Sequence, residues 1–175
     1  MSELSRPYQL MAKNNAWANA TLHAAISALE QAAFEAERPG FFPSLQATMQ
    51  HIYEVDLYYL DALQSGGIGL AIFDQSPPET ATDLGAAQAA TDLRLIQFCA
   101  DLSAETLAQT RVTERGKGAF HETVEALLLH LFQHQIHHRG QAHVQLQSAG
   151  ITPPQLDDFH LEYERVPTAA AYFAP

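Results

Sequence analysis

Cysteine is almost absent from this chain of 175 residues, since Cys99 is the only one. A single thiol cannot form an intramolecular disulfide, so no disulfide framework holds the fold. Residues 1–15 have no basic start, no apolar run and no small-residue cleavage site, so we expect no secretory signal peptide. The lone thiol and the missing signal predict a cytoplasmic protein. Within it, we expect Cys99 to be a small core residue.

Basic residues are also scarce. Lys and Arg together number 9 against 20 acidic residues, which gives a formal charge of −11. Nucleic acids and anionic membranes bind proteins through clustered Lys and Arg, so we predict neither as a partner. No apolar run reaches the roughly 20 residues that a membrane-spanning helix needs. The hydrophobic residues, 47% of the chain, are interleaved with polar ones, as in amphipathic helices.

Proline and glycine divide the chain into four long segments whose apolar residues recur at helical spacing. We expect helices over about 5–31, from a cap at Ser44 to the glycines at 66–69, from about 80 to 102, and from about His121 to Ser148. A small hairpin is predicted within 105–119, and an irregular tail with one helical turn over 151–175, packed on the bundle or on a second subunit. The pattern predicts an all-α protein, an antiparallel four-helix bundle in a single domain over 1–175.

Histidine is abundant, and five of the nine histidines fall between His130 and His143. On a helix, His130, His134 and His138 form one column, because residues four apart share a face. Such a pair can bind one zinc ion at about 2.0–2.1 Å. The glutamate of the HExxH protease motif is missing, which disfavours a protease. Spacing alone leaves open which pair binds a metal, and also whether the histidines form only an adventitious metal-binding surface.

The position of these histidines in the helix favours a buried site. Val124, Leu127 and Leu131 begin an apolar stripe that His134 and His138 continue, so we expect the two imidazoles to face the bundle interior. A third ligand must come from another helix, and His51 is the natural candidate in the second one. Three imidazoles leave coordination positions open, as in catalytic rather than structural zinc sites.

Three stretches of the sequence carry a family resemblance: 14–22 (NNAWANATL), 47–63 (ATMQHIYEVDLYYLDAL) and 130–150 (HLFQHQIHHRGQAHVQLQSAG). The chain resembles the DinB/YfiT-like superfamily of metal-dependent hydrolases and thiol transferases. The resemblance implies an up-down-down-up bundle, frequently a homodimer, with a three-histidine site for nickel or zinc; iron and copper also suit three imidazoles.

Carried over residue by residue, the resemblance places the metal ligands at His51, His134 and His138. It leaves His130 and His137 outside the ligand set. A tryptophan that is common near the end of the family's second-helix motif is replaced here by Tyr59, which changes the expected shape of the pocket.

The resemblance implies a metal-dependent enzyme, either a thiol S-transferase that uses a low-molecular-weight thiol or a hydrolase, acting on an unknown small molecule. The alternative is a non-catalytic stress-response protein that binds a metal or small molecule. Catalytic residues stay unassigned, although Tyr59, Asp56 or His137 could assist proton transfer. The simpler interpretation places Asp56 at the helix surface and Tyr59 in the core.

Overall fold

The computed structural model describes residues 4–163 and 165–173, and helices make up most of them. The elements in chain order are α1 (Arg6–Ile26), α2 (Gln31–Glu35), α3 (Leu45–Gln64), a 3-10 helix (Gly69–Asp74), α4 (Ala81–Ala100), α5 (Ala104–Ala108), β1 (Thr110–Arg115), β2 (Gly118–Thr123), α6 (Val124–Ser148), α7 (Pro167–Ala170) and a 3-10 turn (Ala171–Phe173). The predicted all-α class is confirmed. Within the described residues, no helix is both long and apolar enough to cross a membrane.

Hydrogen bonds between the long helices define the direction of α6. Tyr8, near the start of α1, donates to Glu125, near the start of α6, at 2.8 Å, so these two helices run parallel. Thr48, near the start of α3, donates to Gln145, near the end of α6, at 2.6 Å, so α3 runs against α6.

The remaining directions follow from contacts of α4. Gln50, early in α3, donates to the carbonyl of Pro78 just before α4, at 3.0 Å, which makes α3 and α4 parallel. His23, late in α1, lies against Gly85, early in α4, which makes α1 and α4 antiparallel. The four long helices therefore run up, down, down and up, as the family resemblance implied.

Side-chain caps define where three of the four long helices begin. Ser44, Thr80 and Thr123 each accept a hydrogen bond at 3.1 Å from the backbone N–H three residues further on. Such N-caps contribute about 1 kcal/mol each and satisfy a free backbone donor of the first turn. The predicted cap at Ser44 is confirmed, and it fixes the start of α3, the helix that carries His51.

The hairpin lies further toward the C-terminus than the sequence indicated, and it moves the start of the last helix. Strands β1 and β2 pair antiparallel, with Val112 opposite His121. The prediction that the fourth helix begins at about His121 is therefore wrong, because α6 begins at Val124. Residues 118–123 gain ladder hydrogen bonds from β1 that a helical start would forgo.

The first helix is shorter than predicted and ends at Ile26 rather than at Gln31. Ser27 turns its hydroxyl back to the carbonyl of Ala24 (2.8 Å), a local bond that competes with helix continuation. The chain then forms the short helix α2, which buries Phe34 completely at the end of the bundle. Burial of the Phe34 ring explains why the chain leaves the helix after Ile26 better than the local hydrogen bond of Ser27 does.

Two apolar clusters fill the ends of the bundle. One includes Leu63, Leu95 and Leu127, with Cys99 fully buried beside it as predicted. The other includes Leu22, Met49, Leu84 and Leu146. A layer of buried polar side chains, here called the polar layer, separates these two clusters. The four long helices contribute its residues, which are Asn15, Asn19, Asp56, Gln88, Asp92, Gln135 and Arg139.

The tail packs on the bundle through a third apolar cluster. Trp17 and Phe159 lie with ring centroids 5.5 Å apart, and Ala169 is completely buried beside them. The indole of Trp17 donates to the hydroxyl of Thr168 at 3.2 Å. The tail therefore packs on the bundle, which is one of the two arrangements that the sequence predicted. Its last residues, 174–175, lie outside the described residues.

Candidate metal centre

Helices α3 and α6 bring the three predicted ligands together. The ligand atoms of His51, His134 and His138 all lie within 4.8 Å of one another. The Nε2 atoms of His51 and His134 are 3.1 Å apart. The ring of His138 lies 4.7 Å from that of His51 and 4.3 Å from that of His134, between centroids. The i, i+4 pair on α6 therefore faces one histidine of α3, as predicted.

One nitrogen pair of this cluster has the spacing that a shared metal ion requires. A metal ion holds each imidazole nitrogen at about 2.0–2.1 Å. With a nitrogen–metal–nitrogen angle between the octahedral and the tetrahedral value, two such nitrogens are about 2.9–3.4 Å apart. The 3.1 Å separation of the Nε2 atoms of His51 and His134 falls within that range. The Nδ1 atom of His134 is buried without a hydrogen-bond partner among the described residues, and an ion bound at Nε2 would leave it so. The cluster is therefore compatible with metal binding, and it does not distinguish one metal from another.

The electrostatic environment keeps the three imidazoles neutral. Burial, followed by the neighbouring His138, lowers the pKa of His51 to about 4. Burial, followed by His138 and His51, lowers the pKa of His134 to about 3. Burial also lowers the pKa of His138, against the opposing hydrogen bond that its Nδ1 donates to Gln141. Only a neutral imidazole can donate a lone pair to a metal, so these three are in the required state near neutral pH.

Gln141 orients His138. The Nδ1 atom of His138 lies 2.9 Å from Oε1 of Gln141, which can only accept, so the hydrogen resides on Nδ1. This tautomer leaves the Nε2 lone pair of His138 free for a metal. Gln141 in turn donates through Nε2 to His137 at 3.1 Å. His137 therefore contacts Gln141 and lies outside the three-histidine cluster, as the family resemblance implied.

Two phenylalanines of the loop before α3 form an apolar wall beside the histidines. The ring of Phe42 lies 4.5 Å from that of His51 and 5.6 Å from that of His138. Phe41 lies 6.4 Å from His138 and is 76% exposed. The bond from Gln145 to the carbonyl of Phe42, at 3.0 Å, fixes this loop to α6. An apolar group of a ligand could therefore contact Phe41 and Phe42.

The opposite side of the histidine cluster is polar. His130 is exposed, and its ring lies 6.1 Å from that of His134 and 5.0 Å from that of Tyr59. Tyr59 is buried, as predicted, and packs against Tyr58 at 5.1 Å. His130 is too displaced to join the cluster, so the structure groups His134 with His138 rather than with His130.

The polar layer lies behind the metal centre on the same helices. Arg139, next to His138, is 5% exposed and donates through Nη1 to Asn15 (2.5 Å), Asn19 (3.0 Å) and Gln135 (3.0 Å). These bonds join α6 to α1. Gln135 directly follows His134 on α6, and Arg139 directly follows His138. The hydrogen bonds of Arg139 therefore fix the direction in which the two histidines face.

Two buried carboxylates complete the polar layer. Asp92 accepts from Asn15 (3.1 Å) and Asn19 (3.0 Å), and Gln88 donates to both Asp92 (3.2 Å) and Asp56 (2.8 Å). The interpretation of Asp56 as a surface residue is wrong, because Asp56 is 2% exposed. Its position in α3 turns its carboxylate toward α4, where Gln88 supplies the donor that burial requires.

Burial perturbs the charges of the polar layer. It raises the pKa of Asp56 to about 6, against the hydrogen bonds of Gln135 and Gln88 and the charge of Arg139. Burial, followed by the charge of Asp56, raises the pKa of Asp92 to about 7. Burial lowers the pKa of Arg139 to about 10, so its guanidinium keeps its charge at neutral pH.

Sequence reasoning missed most of this layer. Asn15, Asn19 and Arg139 are polar residues that an amphipathic pattern assigns to the surface. The only available signal was their place in the stretches 14–22 and 130–150, which carried the family resemblance. Gln141, in the second of these stretches, was likewise not recognised as the residue that orients His138.

The fold and the histidine cluster define a class of protein: a four-helix bundle with a three-histidine site, compatible with metal binding, between two antiparallel helices. The DinB family profile matches residues 1–167, and the chain belongs to the DinB family. No curated protein matches the sequence.

Two solved structures share this fold. A DinB-like protein from Bacillus cereus ATCC 10987 is 18% identical, with a TM-score of 0.61 over 79% of this chain and 90% of that one. A DinB-like protein from Bacillus subtilis, YjoA, is 19% identical, with a TM-score of 0.60 over 85% of this chain and 96% of that one. At these identities the likeness concerns the fold alone.

Proposed function

We propose that this DinB-family chain is a metal-dependent enzyme whose divalent ion, nickel or zinc, is held by His51, His134 and His138. The observation that carries the proposal is the convergence of the three ligand atoms within 4.8 Å, from two different helices. Three neutral imidazoles suit zinc, nickel, iron or copper, and they leave positions open for a substrate. A bound ion supplies Lewis-acid chemistry, which stabilises a thiolate or polarises a carbonyl.

The chain's own residues supply binding and proton transfer around that ion. Gln141 holds His138 in one tautomer, and Phe41 and Phe42 provide an apolar contact and restrict water on one side. Three nearby groups are able to donate or accept a proton: Tyr59 and His130, with rings 5.0 Å apart, and His137, whose ring lies 4.9 Å from that of His138. Transfer involving a low-molecular-weight thiol is the favoured reaction, and hydrolysis of a small molecule is the second.

Elemental analysis of the purified protein tests the metal. We expect about one nickel or zinc ion per chain in the wild type and loss of that ion in His134→Ala. His121→Ala is the control, since it removes an exposed imidazole outside the cluster and should keep the ion. A wild type that takes up no stoichiometric nickel, zinc, iron or copper would contradict the proposal.

A panel of thiols with electrophilic acceptors then tests turnover. Thiol-dependent product formation that disappears in His134→Ala supports the transferase, and thiol-independent hydrolysis supports the hydrolase. A loaded protein without turnover supports the non-catalytic alternative, a stress-response protein that binds a metal or small molecule. A homodimer, a cytoplasmic location and the lack of nucleic-acid or membrane partners stay predictions.

A further inference from the structure

The β-hairpin is fastened beside the candidate metal centre. The hydroxyl of Tyr58 donates to the carbonyl of Glu114 (2.5 Å) and accepts from its N–H (2.8 Å). Arg111 donates to the carbonyl of Leu63 at the end of α3 (2.9 Å). These bonds fix β1 to α3, so the residue after Glu114 is held near Tyr58 and its neighbour Tyr59.

That residue is Arg115, and its guanidinium is oriented by the hairpin itself. Nη2 of Arg115 donates to both carboxylate oxygens of Glu122 on β2, at 2.9 and 3.1 Å. Glu122 is held in turn by the hydroxyl of Thr113 at 2.6 Å. Both bonds to Glu122 use the same nitrogen, so Nη1 and Nε of Arg115 keep their hydrogens for another acceptor.

Arg115 lies within electrostatic reach of the polar side of the metal centre. Burial lowers the pKa of His130 and raises that of Tyr59, and at both groups the charge of Arg115 acts to lower the pKa while that of Glu122 acts to raise it. His130 in turn neighbours His134, with ring centroids 6.1 Å apart. Along the α3–α6 contact, the order of rings is therefore Phe41 and Phe42, the three histidines, and His130 with Tyr59. Tyr58 packs against Tyr59 and binds the backbone of Glu114, the residue before Arg115.

This order gives the site two unlike ends. Phe41 and Phe42 offer an apolar surface, whereas Arg115 is a guanidinium with free donors in a chain of charge −11. A planar guanidinium matches the geometry of a carboxylate and binds it through charge-assisted hydrogen bonds. Glu122 offsets the charge of Arg115, so selectivity for an acid rests on the remaining guanidinium donors.

We propose that Arg115 binds a carboxylate of the substrate, so that the three-histidine site acts on an organic acid held with its acid group toward the hairpin. The proposal rests on the proposed function, since it requires an ion at the histidines to bind the reacting group. Arg115 sets specificity by contacting the substrate, while Glu122 and Thr113 position its guanidinium. The acid must be long enough to extend past His130.

Cobalt-loaded protein provides the test, because its visible absorption changes when a thiol binds the ion. The probes are mercaptohexanoate and its uncharged analogue mercaptohexanol, which differ only in the carboxylate. We expect the wild type to bind the acid about tenfold more tightly than the alcohol, the effect of one charge-assisted hydrogen-bonded contact at a partly exposed site. Added salt should reduce this preference, since the contact is partly exposed.

Variants assign the preference to one residue. Arg115→Gln should abolish the preference for the acid while binding of mercaptohexanol stays within about twofold, and Arg115→Lys should retain part of it. Lys117→Gln is the matched control, as it removes the same charge from the exposed turn of the same hairpin and should keep the preference. Shorter mercaptopropionate should show little preference, because its carboxylate cannot extend past His130.

The outcomes separate this inference from the function on which it rests. Equal binding of acid and alcohol by the wild type, a preference that survives in Arg115→Gln, or a cobalt spectrum that neither thiol changes would each overturn the role of Arg115 and leave the metal site intact. Failure of the wild type to take up cobalt is seen before any thiol is added, and it would overturn the proposed function and this inference together.

Discussion

The Nε2 atoms of His51 and His134 lie 3.1 Å apart although 83 positions separate the two residues in the sequence. Two neutral imidazoles at this distance either share one hydrogen or both donate lone pairs to an ion between them. The second arrangement also uses His138, whose lone pair is freed by the bond of its Nδ1 to Gln141. This dependence on Gln141 leads to the first prediction.

Gln141→Leu should weaken metal binding by about tenfold, since ligand orientation by outer hydrogen bonds typically contributes 10–100-fold in affinity. The substitution removes the acceptor for Nδ1 of His138 and leaves the three imidazoles in place. Affinity is measured by competition with a chromophoric chelator. Gln133→Leu, an exposed position of the same helix, is the control and should leave the affinity unchanged. Unchanged affinity in Gln141→Leu would show that His138 does not need its partner.

The sequence allowed prediction of the features that depend on local spacing. The i, i+4 relation of His134 and His138 and the cap at Ser44 follow from helix geometry, and both are found. The place of His51 in the second helix made it the candidate third ligand, and the family resemblance then selected the pair His134 and His138, because spacing fits His130 with His134 equally well. Pairing between segments was harder to predict, as the hairpin that takes His121 from the fourth helix demonstrates.

The polar layer could not be predicted for a different physical reason. The hydrophobic periodicity of a single helix does not distinguish a buried arginine such as Arg139 from a surface arginine, since it reports only the average polarity of a helix face. What makes burial of Arg139 possible is the simultaneous presence of Asn15 and Asn19 on α1, with Asp92 on α4. Such matching of partners across three helices is a property of the assembled bundle.

Gly140 gives a prediction about stability. It lies in the interior of α6, and a Cβ added there would meet no atom within 4 Å. Gly140→Ala should therefore raise the free energy of unfolding by about 0.5–1 kcal/mol, the usual cost of a helical glycine. Urea denaturation measures the change. Gly116→Ala in the hairpin turn also meets open space and should have a smaller effect. A loss of stability in Gly140→Ala would contradict the prediction.

His23 gives a prediction about acid stability. It is 7% exposed, and neither ring nitrogen has a hydrogen-bond partner among the described residues. Burial lowers its pKa from 6.5 to about 4. Because the folded pKa is depressed, the unfolded chain takes up the proton first, so stability present above pH 6.5 is lost as the pH falls toward 4.

His23→Leu should therefore raise the free energy of unfolding by about 1–2 kcal/mol at neutral pH, since it removes an unpartnered buried polar group. The advantage should grow by up to about 3 kcal/mol as the pH falls to 4, from the depressed pKa of His23. Urea denaturation at several pH values measures both effects. His121→Leu, at an exposed histidine, should show neither. An advantage for His23→Leu that stays constant with pH would contradict the proposed titration.

Asp92 titrates in the opposite sense. Burial and the charge of Asp56 raise its pKa from 3.8 to about 7, so the folded chain holds a proton that the unfolded chain has released. Its contribution to stability is complete below pH 3.8 and is lost as the pH rises to about 7. A single proton gives a slope of at most about 1.4 kcal/mol per pH unit.

Asp92→Asn removes this titration while Oδ1, which accepts the bonds from Asn15, Asn19 and Gln88, remains. We expect the stability of the variant relative to the wild type to rise with pH between about 4 and 7, by up to about 1.4 kcal/mol per unit. Denaturation at matched pH values measures the difference, in which the contributions of the histidines cancel. Asp83→Asn, at an exposed position of the same helix, serves as control. A difference between Asp92→Asn and the wild type that does not vary with pH would show that Asp92 is ionised throughout, and that Arg139 alone balances both buried carboxylates.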